Sequence, residues 1–582
     1  MCGIAGVFNV PSVDNQQVKK MINLIHHRGI DEQGVEKIGP TVLGHVRLAV
    51  VDPENGKQPM CNEDGTVWVS FNGEIYNYVE LREELKKKGH TFKSRCDTEV
   101  LVHLWEEEGE GMLDRLNGMF AFFIWDTNIN KGMLARDRQG IKPCFIAEYK
   151  QGLAFASEIK AILSLPGMVK KINDEALKEV LCFNYPMPDH TCFQGISPLE
   201  PGHYILFDGD GSYKKNCYWD WPLFDRKQEL SVGEFSDLMD DVIRLQMRFD
   251  VKGGMYLSGG VDSSVVASHL NPQWNSECLE AVGLNFMEPE YSEYKYSKQT
   301  ADHLGIALSE AKISYDMIPE IADKVVYHAE QPHGDFSFFL IYILARRANS
   351  NEKIVMFTGD GPDEVMCGFT HNEAHFANNA IDEFSPRRYF DLICYMDKNI
   401  RKRVLSSDFD MYTKDPANRF EEILAPWAEL HPAEQIQAYE CKYLMLGNNL
   451  VKGDRMGACW STEGRAPFLD HRVSERFMKL PMNQKIQNGI GKIYLKNFAT
   501  QKFPRELIFR KKTMPTTPIG EWIKGPLYDW ARSILESNTD SRFNTKAMLE
   551  LLEEHKKGIT NYTRELRTLI MIQIWLRVYF QQ

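Results

Sequence analysis

A strand, a glycine turn and a helix are predicted in direct succession near the middle of the chain. Gly254–Leu257 is a short apolar segment typical of a strand, Ser258–Ser264 has the sequence Ser-Gly-Gly-Val-Asp-Ser-Ser, and Val265–Leu270 predicts a helix. The two glycines let backbone N–H groups approach an anion closely, and a helix start adds partial positive charge. The Gly-Lys-Ser/Thr ending of a Walker A loop is missing. This order of elements therefore predicts a phosphate cradle of another kind in an α/β domain.

Three further apolar segments, separated by helical patterns, follow this loop at Leu279–Phe286, around Ile306–Ile313 and at Lys353–Phe357. Such alternation predicts a parallel sheet with crossover helices. Ligands of such sheets bind at the carboxyl ends of the strands. We therefore expect the ligand beside Ser258–Ser264 and beside the segment that follows Phe357.

That segment is Thr358–Glu364, with the sequence Thr-Gly-Asp-Gly-Pro-Asp-Glu. The heptapeptide Ser258–Ser264 resembles the pyrophosphate-binding loop of ATP pyrophosphatases, which split ATP into AMP and pyrophosphate. The resemblance implies ATP as the nucleotide substrate. Carboxylates near a triphosphate require a hard divalent cation between them, so Asp262 and Asp363 are the predicted Mg²⁺ ligands.

The first part of the chain predicts a different architecture. Short apolar or β-branched segments typical of strands occur at Ile4–Val10, Val42–Val51, Val67–Phe71, Met119–Trp125, Gly132–Asp137 and Leu153–Ala156. Asn77–Gly89 and Asp97–Gly109 have helical spacing of apolar residues. These patterns predict sheets sandwiched by helices.

Cys2 is the candidate nucleophile of this part. Initiator methionine is commonly removed before a small residue, which would leave a thiol and a free α-amine on the same residue. An α-amine has a pKa near about 7.7–8.0, so an unprotonated fraction is present at neutral pH and can accept the thiol proton. Taken alone, an unreactive cysteine near the terminus is the better interpretation.

Three other segments supply what hydrolysis of glutamine requires. Arg47 offers a cation for the α-carboxylate, Asp97 an anion for the ammonium group, and the predicted turn Asn72-Gly73-Glu74 offers donors for a tetrahedral oxyanion. An isolated Asn-Gly is usually a plain hairpin turn. The four features occur in one chain and support one chemistry together.

These residues stand within longer motifs that resemble the class II glutamine amidotransferase domain. The motifs are Met1–Phe8, His27-Arg28-Gly29 with Asp31, Phe71–Asn77 and Gly118–Phe122. The resemblance covers about the first 160 residues and implies that Cys2 attacks the glutamine amide while the Asn72 side chain and the Gly73 N–H form the oxyanion hole. It implies glutamine binding by Arg47, Leu48, Ala49, Val50, Val51, Asn72, Gly73, Glu74 and Asp97. Ile30 stands where the family usually has proline, which affects the expected rigidity of that loop.

Two later motifs, Gly464–His471 and Gly489–Lys496, extend the resemblance over nearly the whole chain to the glutamine-dependent asparagine synthetases. The fold this implies has two domains: an N-terminal α+β sandwich of antiparallel sheets, of the N-terminal-nucleophile hydrolase type, and a C-terminal α/β domain whose parallel sheet binds adenine nucleotide and carries added helices. The ATP contacts implied are Leu257, Ser258, Gly259, Gly260, Asp262, Ser263, Ser264, Val282, Thr358 and Gly359.

The same resemblance assigns catalytic roles to Asp360 and to Lys492, which would neutralise the triphosphate and the transition state, with Lys496 one turn later as the alternative. Arg510 and Lys512 are either helpers at this site or a solvated basic turn. Asp360 stands where asparagine synthetases commonly carry glutamate, and Pro362 where they carry a small residue. Acceptors other than aspartate, such as a sugar uronic acid or a specialised metabolite, therefore remain an alternative.

Length and charge set the remaining expectations. The 582 residues exceed what one core organises, and we expect domains at 1–215 and 230–582. The net charge of −13 and the scattered cysteines indicate no nucleic-acid partner and a reduced, cytoplasmic protein. Apolar stretches are too short for a membrane helix. The expected partners are the small-molecule substrates, with a homodimer as a further option; a hydrolase with a vestigial ATP half and a non-catalytic scaffold are the remaining alternatives.

Overall fold

The structure is a computed structural model that describes residues 1–274, 278–378, 384–412, 414–510 and 517–581. Twelve strands lie in its first part: β1 (Gly3–Phe8), β2 (Glu32–Ile38), β3 (Thr41–Arg47), β4 (Met60–Cys61), β5 (Val67–Ile75), β6 (Gly118–Asp126), β7 (Lys131–Arg136), β8 (Phe145–Tyr149), β9 (Gly152–Ala156), β10 (Ser197–Pro198), β11 (His203–Asp208) and β12 (Tyr213–Cys217). They form two six-stranded antiparallel sheets, in the orders β10-β8-β9-β1-β3-β2 and β12-β11-β7-β6-β5-β4.

The two sheets pack face to face and helices cover their outer sides. Phe123 of β6 stacks on Phe155 of β9 across the interface, with ring centroids 4.9 Å apart. Strands buried on both faces need apolar side chains on both faces, which is why β1 and β6 are nearly continuous apolar runs. The helices of this part are α1 (Asn15–Leu24), α2 (Tyr78–Lys88), α3 (Glu99–Glu108), α4 (Met112–Arg115), α5 (Ile159–Leu163) and α6 (Asp174–Phe183).

The second part is built on a parallel sheet. Its strands are β13 (Gly253–Tyr256), β14 (Glu280–Phe286), β15 (Ala307–Ile313), β16 (Val355–Phe357) and β17 (Glu463–Arg465), with a small hairpin of β18 (Ile486–Gln487) and β19 (Ile490–Gly491). The sheet has the order β15-β14-β13-β16-β17. The chain builds outward from β13 in one direction and then in the other, so a crevice opens between the carboxyl ends of β13 and β16.

Helices surround this sheet and extend beyond it. They are α7 (Val232–Gln246), α8 (Val261–Gln273), α9 (Tyr294–Leu304), α10 (Met317–Ala329), α11 (Ser337–Ser350), α12 (Pro362–Val365), α13 (Thr370–Asn378), α14 (Pro386–Ile393), α15 (Lys398–Val404), α16 (Ser407–Tyr412), α17 (Pro416–Leu424), α18 (Pro432–Tyr439), α19 (Leu450–Ala458), α20 (His471–Lys479), α21 (Met482–Lys485), α22 (Ile493–Ala499), α23 (Arg505–Ile508), α24 (Ile519–Lys524), α25 (Tyr528–Glu536), α26 (Thr545–Lys556) and α27 (Thr563–Phe580). A π-helical segment, Glu440–Asn449, joins α18 to α19. Among the described helices, none has the length and apolar character that a bilayer crossing requires.

The predicted fold class is confirmed, with antiparallel sheets first and a parallel sheet second. Two local predictions are wrong. The strand expected over Val42–Val51 ends at Arg47, and Asn72-Gly73-Glu74 lies inside β5 rather than in a turn. Pairing with β6 along its whole length keeps this Asn-Gly extended, because nine ladder positions outweigh a local turn preference.

Candidate active sites

Cys2 lies at the start of β1, beside the end of β3. Gly3 pairs with Val46, so the residue before Gly3 is adjacent to Arg47. The Cys2 thiol donates a hydrogen bond to the Leu48 carbonyl oxygen at 3.7 Å. Burial raises the pKa of the Cys2 thiol to about 11. The thiol is therefore protonated at neutral pH and requires a base before it can act as a nucleophile.

The buried chain terminus provides an environment for such a base. Burial lowers the pKa of the Met1 α-amine to about 6, with Glu463 opposing the shift. An amine with this pKa is largely neutral at pH 7, which is the form that accepts a proton. Removal of Met1 would move the free amine onto Cys2 in this same region.

Asn72 is positioned by contacts between the two sheets. The His45 Nε2 atom of β3 hydrogen bonds with the Phe71 carbonyl oxygen of β5 at 2.9 Å, and Ser70 Oγ donates to the Gly44 carbonyl oxygen at 3.1 Å. Asn72 is fully buried, and neither its Oδ1 nor its Nδ2 atom has a hydrogen-bond partner among the described residues. A buried polar group without a partner costs about 1–3 kcal/mol, which fits the prediction that this amide binds a ligand.

Gly73 completes the same strand segment. A Cβ atom at this position would lie 2.0 Å from the Met119 carbonyl oxygen, so no other residue fits without moving the backbone of β6. The absence of a side chain keeps the backbone between Asn72 and Glu74 close to β6. The pair Asn72 and Gly73 thus has the composition expected of an oxyanion hole.

Arg47 organises the loop that follows β3. Its Nη1 atom donates to Glu32 at 2.9 Å, and its Nη2 atom donates to the carbonyl oxygens of Val51 at 3.1 Å and Asp52 at 2.7 Å. Leu48, Ala49, Val50 and Val51 therefore form a loop that curls around the guanidinium group. Binding of a substrate carboxylate by Arg47 stays a prediction.

The loop containing Ile30 is held by hydrogen bonds rather than by a proline. The Asp31 backbone N–H donates to the Arg47 carbonyl oxygen at 3.0 Å, and Asp31 Oδ2 accepts from the Ala49 N–H at 2.8 Å. Ile30 itself is exposed. These hydrogen bonds thus tie the loop to the predicted glutamine site, although Ile30 stands where the family usually has proline.

Two acidic residues flank Asn72 and Gly73. Asp97 Oδ2 accepts a hydrogen bond from the Ile75 N–H at 2.8 Å, and burial raises the pKa of Asp97 to about 6. Glu74 Oε2 lies 3.2 Å from Nη2 of Arg465, a residue of β17 in the second part of the chain. Burial raises the pKa of Glu74, and the charge of Arg465 opposes that shift. Arg465 was not predicted as a site residue, since its partner is distant in sequence.

The loop Ser258–Ser264 lies at the carboxyl end of β13 and leads into α8. Gly259 has a φ of +67°, and a Cβ atom there would lie 2.3 Å from the Tyr296 carbonyl carbon. The Ser258 and Ser263 hydroxyl groups lie 2.9 Å apart. The helix begins at Val261 after the N-cap residue Gly260, and no side chain caps its first N–H groups, which suits anion binding.

The loop after β16 lies against this one. A Cβ atom on Gly359 would be 2.7 Å from the Ser263 backbone nitrogen, so the two loops touch. Leu257 donates its N–H to the Val282 carbonyl oxygen at 3.0 Å, which places both at the same sheet edge. Ser264 differs from its neighbours, because its hydroxyl group hydrogen bonds with Thr300 of α9 at 3.3 Å inside the protein.

Lys492 joins the two predicted metal ligands. Its Nζ atom lies 2.6 Å from Asp262 Oδ2 and 2.7 Å from Asp363 Oδ1, and it is almost fully buried. The two carboxylates raise the pKa of Lys492 and keep it charged. Lys496 is directed elsewhere, with its Nζ atom 3.6 Å from Glu373.

Arg510 contacts the nucleotide loop Ser258–Ser264 and the residues packed against it. Its guanidinium group stacks over the Tyr296 ring at 3.9 Å, and Nη2 lies 3.5 Å from the Gly259 carbonyl oxygen. Its Nη1 atom donates to Glu293 at 2.8 Å. Lys512 lies outside the described residues.

A cavity of about 340 Å³ lies at the nucleotide loops and reaches Met1 and Lys142. The nucleotide loops line it through Leu257, Ser258, Asp262, Ser263, Val282, Thr358, Gly359, Asp360 and Asp363. These nine predicted residues of the second site therefore share one space, and that space extends to Met1, the residue before Cys2. Among the described residues, those that line it do not include Cys2 or the other residues of the predicted glutamine site, nor Gly259, Gly260, Ser264 and Lys492.

Arg28 makes contacts that were not predicted from the motif in which it stands. Its Nε atom donates to the Cys2 carbonyl oxygen at 2.9 Å, and its two terminal nitrogens donate to Asp454 of α19 at 2.8 and 3.0 Å. Asp454 also lines the cavity. The backbone of the predicted nucleophile is thus tied to a helix of the second site.

Fold and sites together define a class of protein in which a sandwich of two antiparallel sheets is joined to an α/β unit with a glycine loop at the carboxyl end of its parallel sheet. Residues 1–219 match the family model described as glutamine amidotransferase domain, and residues 234–577 match the model described as asparagine synthase. The second match covers more than half of the chain. This chain belongs to the asparagine synthase family.

Individual relatives agree. The chain is 29% identical to glutamine-hydrolyzing asparagine synthetase 1 of Bacillus subtilis (strain 168), over 99% of this chain and 96% of the relative. It is 30% identical to the synthetase numbered 2 of the same organism, over 83% of this chain and 67% of the relative. A putative glutamine-hydrolyzing asparagine synthetase of Methanocaldococcus jannaschii is 32% identical over 64% of this chain and 76% of the relative.

Proposed function

We propose that this protein is a glutamine-hydrolysing asparagine synthetase. It converts ATP, aspartate, glutamine and water into AMP, pyrophosphate, asparagine and glutamate. The observation that carries the proposal is the cavity at the nucleotide loops, since it extends to Met1, the residue that precedes the proposed nucleophile Cys2. Residues 1–215 form the glutaminase domain and residues 230–582 the synthetase domain.

Glutamine hydrolysis takes place at Cys2. The α-amine freed by removal of Met1 accepts the thiol proton, and the thiolate attacks the side-chain amide carbon of glutamine. Asn72 Nδ2 and the Gly73 N–H donate to the tetrahedral oxyanion. Arg47 and the loop Leu48–Val51 hold the substrate carboxylate, and Asp97 with Glu74 holds its ammonium group.

The carboxylate of aspartate is activated at the second site. Amide formation from a carboxylate in water needs a good leaving group, and ATP supplies AMP for that purpose. The loop Ser258–Ser264 binds the departing pyrophosphate through N–H and hydroxyl donors, and Lys492 neutralises charge on it. Asp360 lines the acceptor side of the cavity, and ammonia from Cys2 attacks the resulting acyl-adenylate.

Asp262 and Asp363 suit Mg²⁺. Their carboxylates lie close enough to share one ammonium group, and carboxylate oxygens are the ligands that this hard cation prefers. When bound, Mg²⁺ would neutralise charge on the triphosphate. Lys492 provides a fixed positive charge at the same place.

The test uses Cys2→Ala with Cys217→Ala, an exposed cysteine, as the matched control. Cys2→Ala should release no glutamate from glutamine yet form asparagine from added ammonium salts at close to the normal rate. Release of AMP with a panel of carboxylates identifies the acceptor. Loss of both activities in Cys2→Ala would contradict two separable sites, and amidation of a sugar uronic acid in place of aspartate would contradict the acceptor.

A further inference from the structure

Two histidines and two glutamates meet on the outer side of the glutaminase half. Glu63 follows β4, His90 follows α2, and His103 and Glu106 lie on α3. No member of this histidine–glutamate cluster lines the cavity at the nucleotide loops, and none belongs to the proposed glutamine site. The cluster therefore has no role in the chemistry described above.

The ligating atoms of the cluster are close together. One such atom from each of Glu63, His90 and His103 lies within 4.8 Å of the other two. His103 Nδ1 is 3.0 Å from Glu106 Oε2 and 3.6 Å from Glu63 Oε2. His90 Nδ1 is 3.6 Å from the same Glu106 oxygen. Both Nδ1 atoms thus face the carboxylates.

Outer contacts orient these ligands. The other nitrogen of His90, Nε2, lies 3.1 Å from Glu107 Oε1, and Glu106 Oε1 accepts a hydrogen bond from Asn62 at 2.8 Å. A carboxylate on the second ring nitrogen is the usual partner of a metal-binding histidine, since it fixes the tautomer and the ring orientation. The contacts of His90, and not only its residue type, are therefore those of a metal ligand.

The scaffold holds the imidazole rings in place. His103 is fully buried, with its ring centroid 4.6 Å from that of Phe92 and 4.8 Å from that of His90. Gly89, with a φ of +106°, ends α2 and lets the chain turn so that His90 faces α3. Glu63 is the exposed member. Two ligands on a helix, His103 and Glu106, and one adjustable carboxylate, Glu63, are suited to closing around an ion.

We propose that Glu63, His90, His103 and Glu106 form a binding site for a Zn²⁺-type transition metal. Two imidazole nitrogens and carboxylate oxygens suit Zn²⁺, whereas Mg²⁺ prefers oxygen ligands alone. Ligands of a tetrahedral zinc site lie about 3.3 Å apart. Rotation of the Glu63 side chain, together with a small approach of the rings, brings the cluster to that spacing.

Each histidine binds the metal through an unprotonated Nδ1, and the single proton of a neutral ring then lies on Nε2. Nε2 of His90 can donate this proton to Glu107 Oε1, 3.1 Å away. Protons and metal compete for the histidine nitrogens, so metal binding should weaken at acidic pH.

The experiment measures Zn²⁺ bound per chain in full-length protein first stripped of metal, with Mg²⁺ in excess to occupy Asp262 and Asp363. The variants are His90→Gln and Glu63→Gln, with His203→Gln as a histidine control outside the cluster. Wild type and the control should bind one Zn²⁺ that both cluster variants lose, and Glu107→Gln should weaken binding by about 10- to 100-fold. Glutaminase activity should be unchanged, which shows that the variants fold.

Cobalt distinguishes this site from the cysteines. Co²⁺ bound by nitrogen and oxygen should give tetrahedral visible bands without the intense thiolate charge-transfer absorption that Cys2 or another thiol would produce. Failure of wild type to bind Zn²⁺, equal binding by His90→Gln and Glu63→Gln, or a thiolate spectrum would each overturn the proposal. None of these results bears on the proposed synthetase activity.

Discussion

Arg28 and Asp454, 426 positions apart in the chain, are joined by two hydrogen bonds of 2.8 and 3.0 Å in the protein interior. Glu158 is a second partner of Arg28, at 3.0 Å. Because Arg28 also holds the Cys2 carbonyl oxygen, a displacement of α19 at the nucleotide cavity acts on the residue proposed to attack glutamine. The pair thus links the two halves physically.

Asp454→Asn should destabilise the protein and lower glutaminase activity. The change leaves a buried guanidinium group with one anionic partner fewer, and breaking a buried pair costs about 3–5 kcal/mol. Asp302→Asn is the control, since its exposed pair with Lys298 is worth less than about 1 kcal/mol. Thermal unfolding measures the stability of both variants, and glutamate release from glutamine measures their glutaminase activity. Equal transition temperatures for the two variants would show that the buried pair contributes little.

Asn72→Ala should lower kcat for glutamine hydrolysis by about 100- to 1,000-fold with a much smaller change in KM, because the amide acts on the oxyanion of the transition state. Asn216→Ala, at a half-buried position of the edge strand β12, is the matched control. Asparagine formation from ammonium should persist in both variants. A rise in KM alone would instead make Asn72 a ground-state binding residue.

A strand was easier to predict from the sequence when its residues are apolar and when its pairing partner lies nearby in the chain. β6 is predictable because Met119–Trp125 is apolar throughout. β2 was not predicted, because Glu32–Ile38 lies at a sheet edge and contains only two apolar residues, Val35 and Ile38, beside three charged ones, a glutamine and a glycine. β17 has three residues, two of them charged, and its place in the sheet depends on pairing with β16 more than 100 residues earlier.

The site residues also divide into those that local sequence predicts and those that it does not. Cys2, Asn72, Asp262 and Asp363 were predicted because their chemistry is encoded in short motifs. Arg28 and Arg465 gained their roles only from the folded chain, since the partners that define them, Asp454 and Glu74, lie hundreds of residues away. No local pattern carries that information.

Glutamine hydrolysis should depend on pH through Asp97. Burial raises its pKa to about 6, so the carboxylate proposed to bind the substrate ammonium group is mostly charged only above that pH. The proposed α-amine base also loses its neutral form below about pH 6, so kcat/KM for glutamine should fall by more than about tenfold per pH unit below about 6. Asp97→Asn should have a low kcat/KM and a shallower descending limb of about tenfold per pH unit. An equally steep limb in the variant would assign the second titration to another group.

Lys492→Met should reduce AMP formation by at least about 100-fold while glutamine hydrolysis stays normal, because the lysine is assigned to charge on the departing pyrophosphate. Lys496→Met is the comparison, one helical turn away and paired with Glu373. It should retain most of the activity. If Lys496→Met were the more damaged variant, the assignments of the two lysines would be exchanged.

The most direct test of the account follows both substrates in one reaction. Wild-type protein receives ATP, Mg²⁺, aspartate labelled with ¹⁸O in its carboxylates and glutamine labelled with ¹⁵N in its side-chain amide, and mass spectrometry follows the products. The account predicts ¹⁵N in the amide of asparagine and one ¹⁸O atom in AMP, because the carboxylate oxygen leaves with the nucleotide. Label in inorganic phosphate with none in AMP, or no labelled asparagine at all, would contradict it.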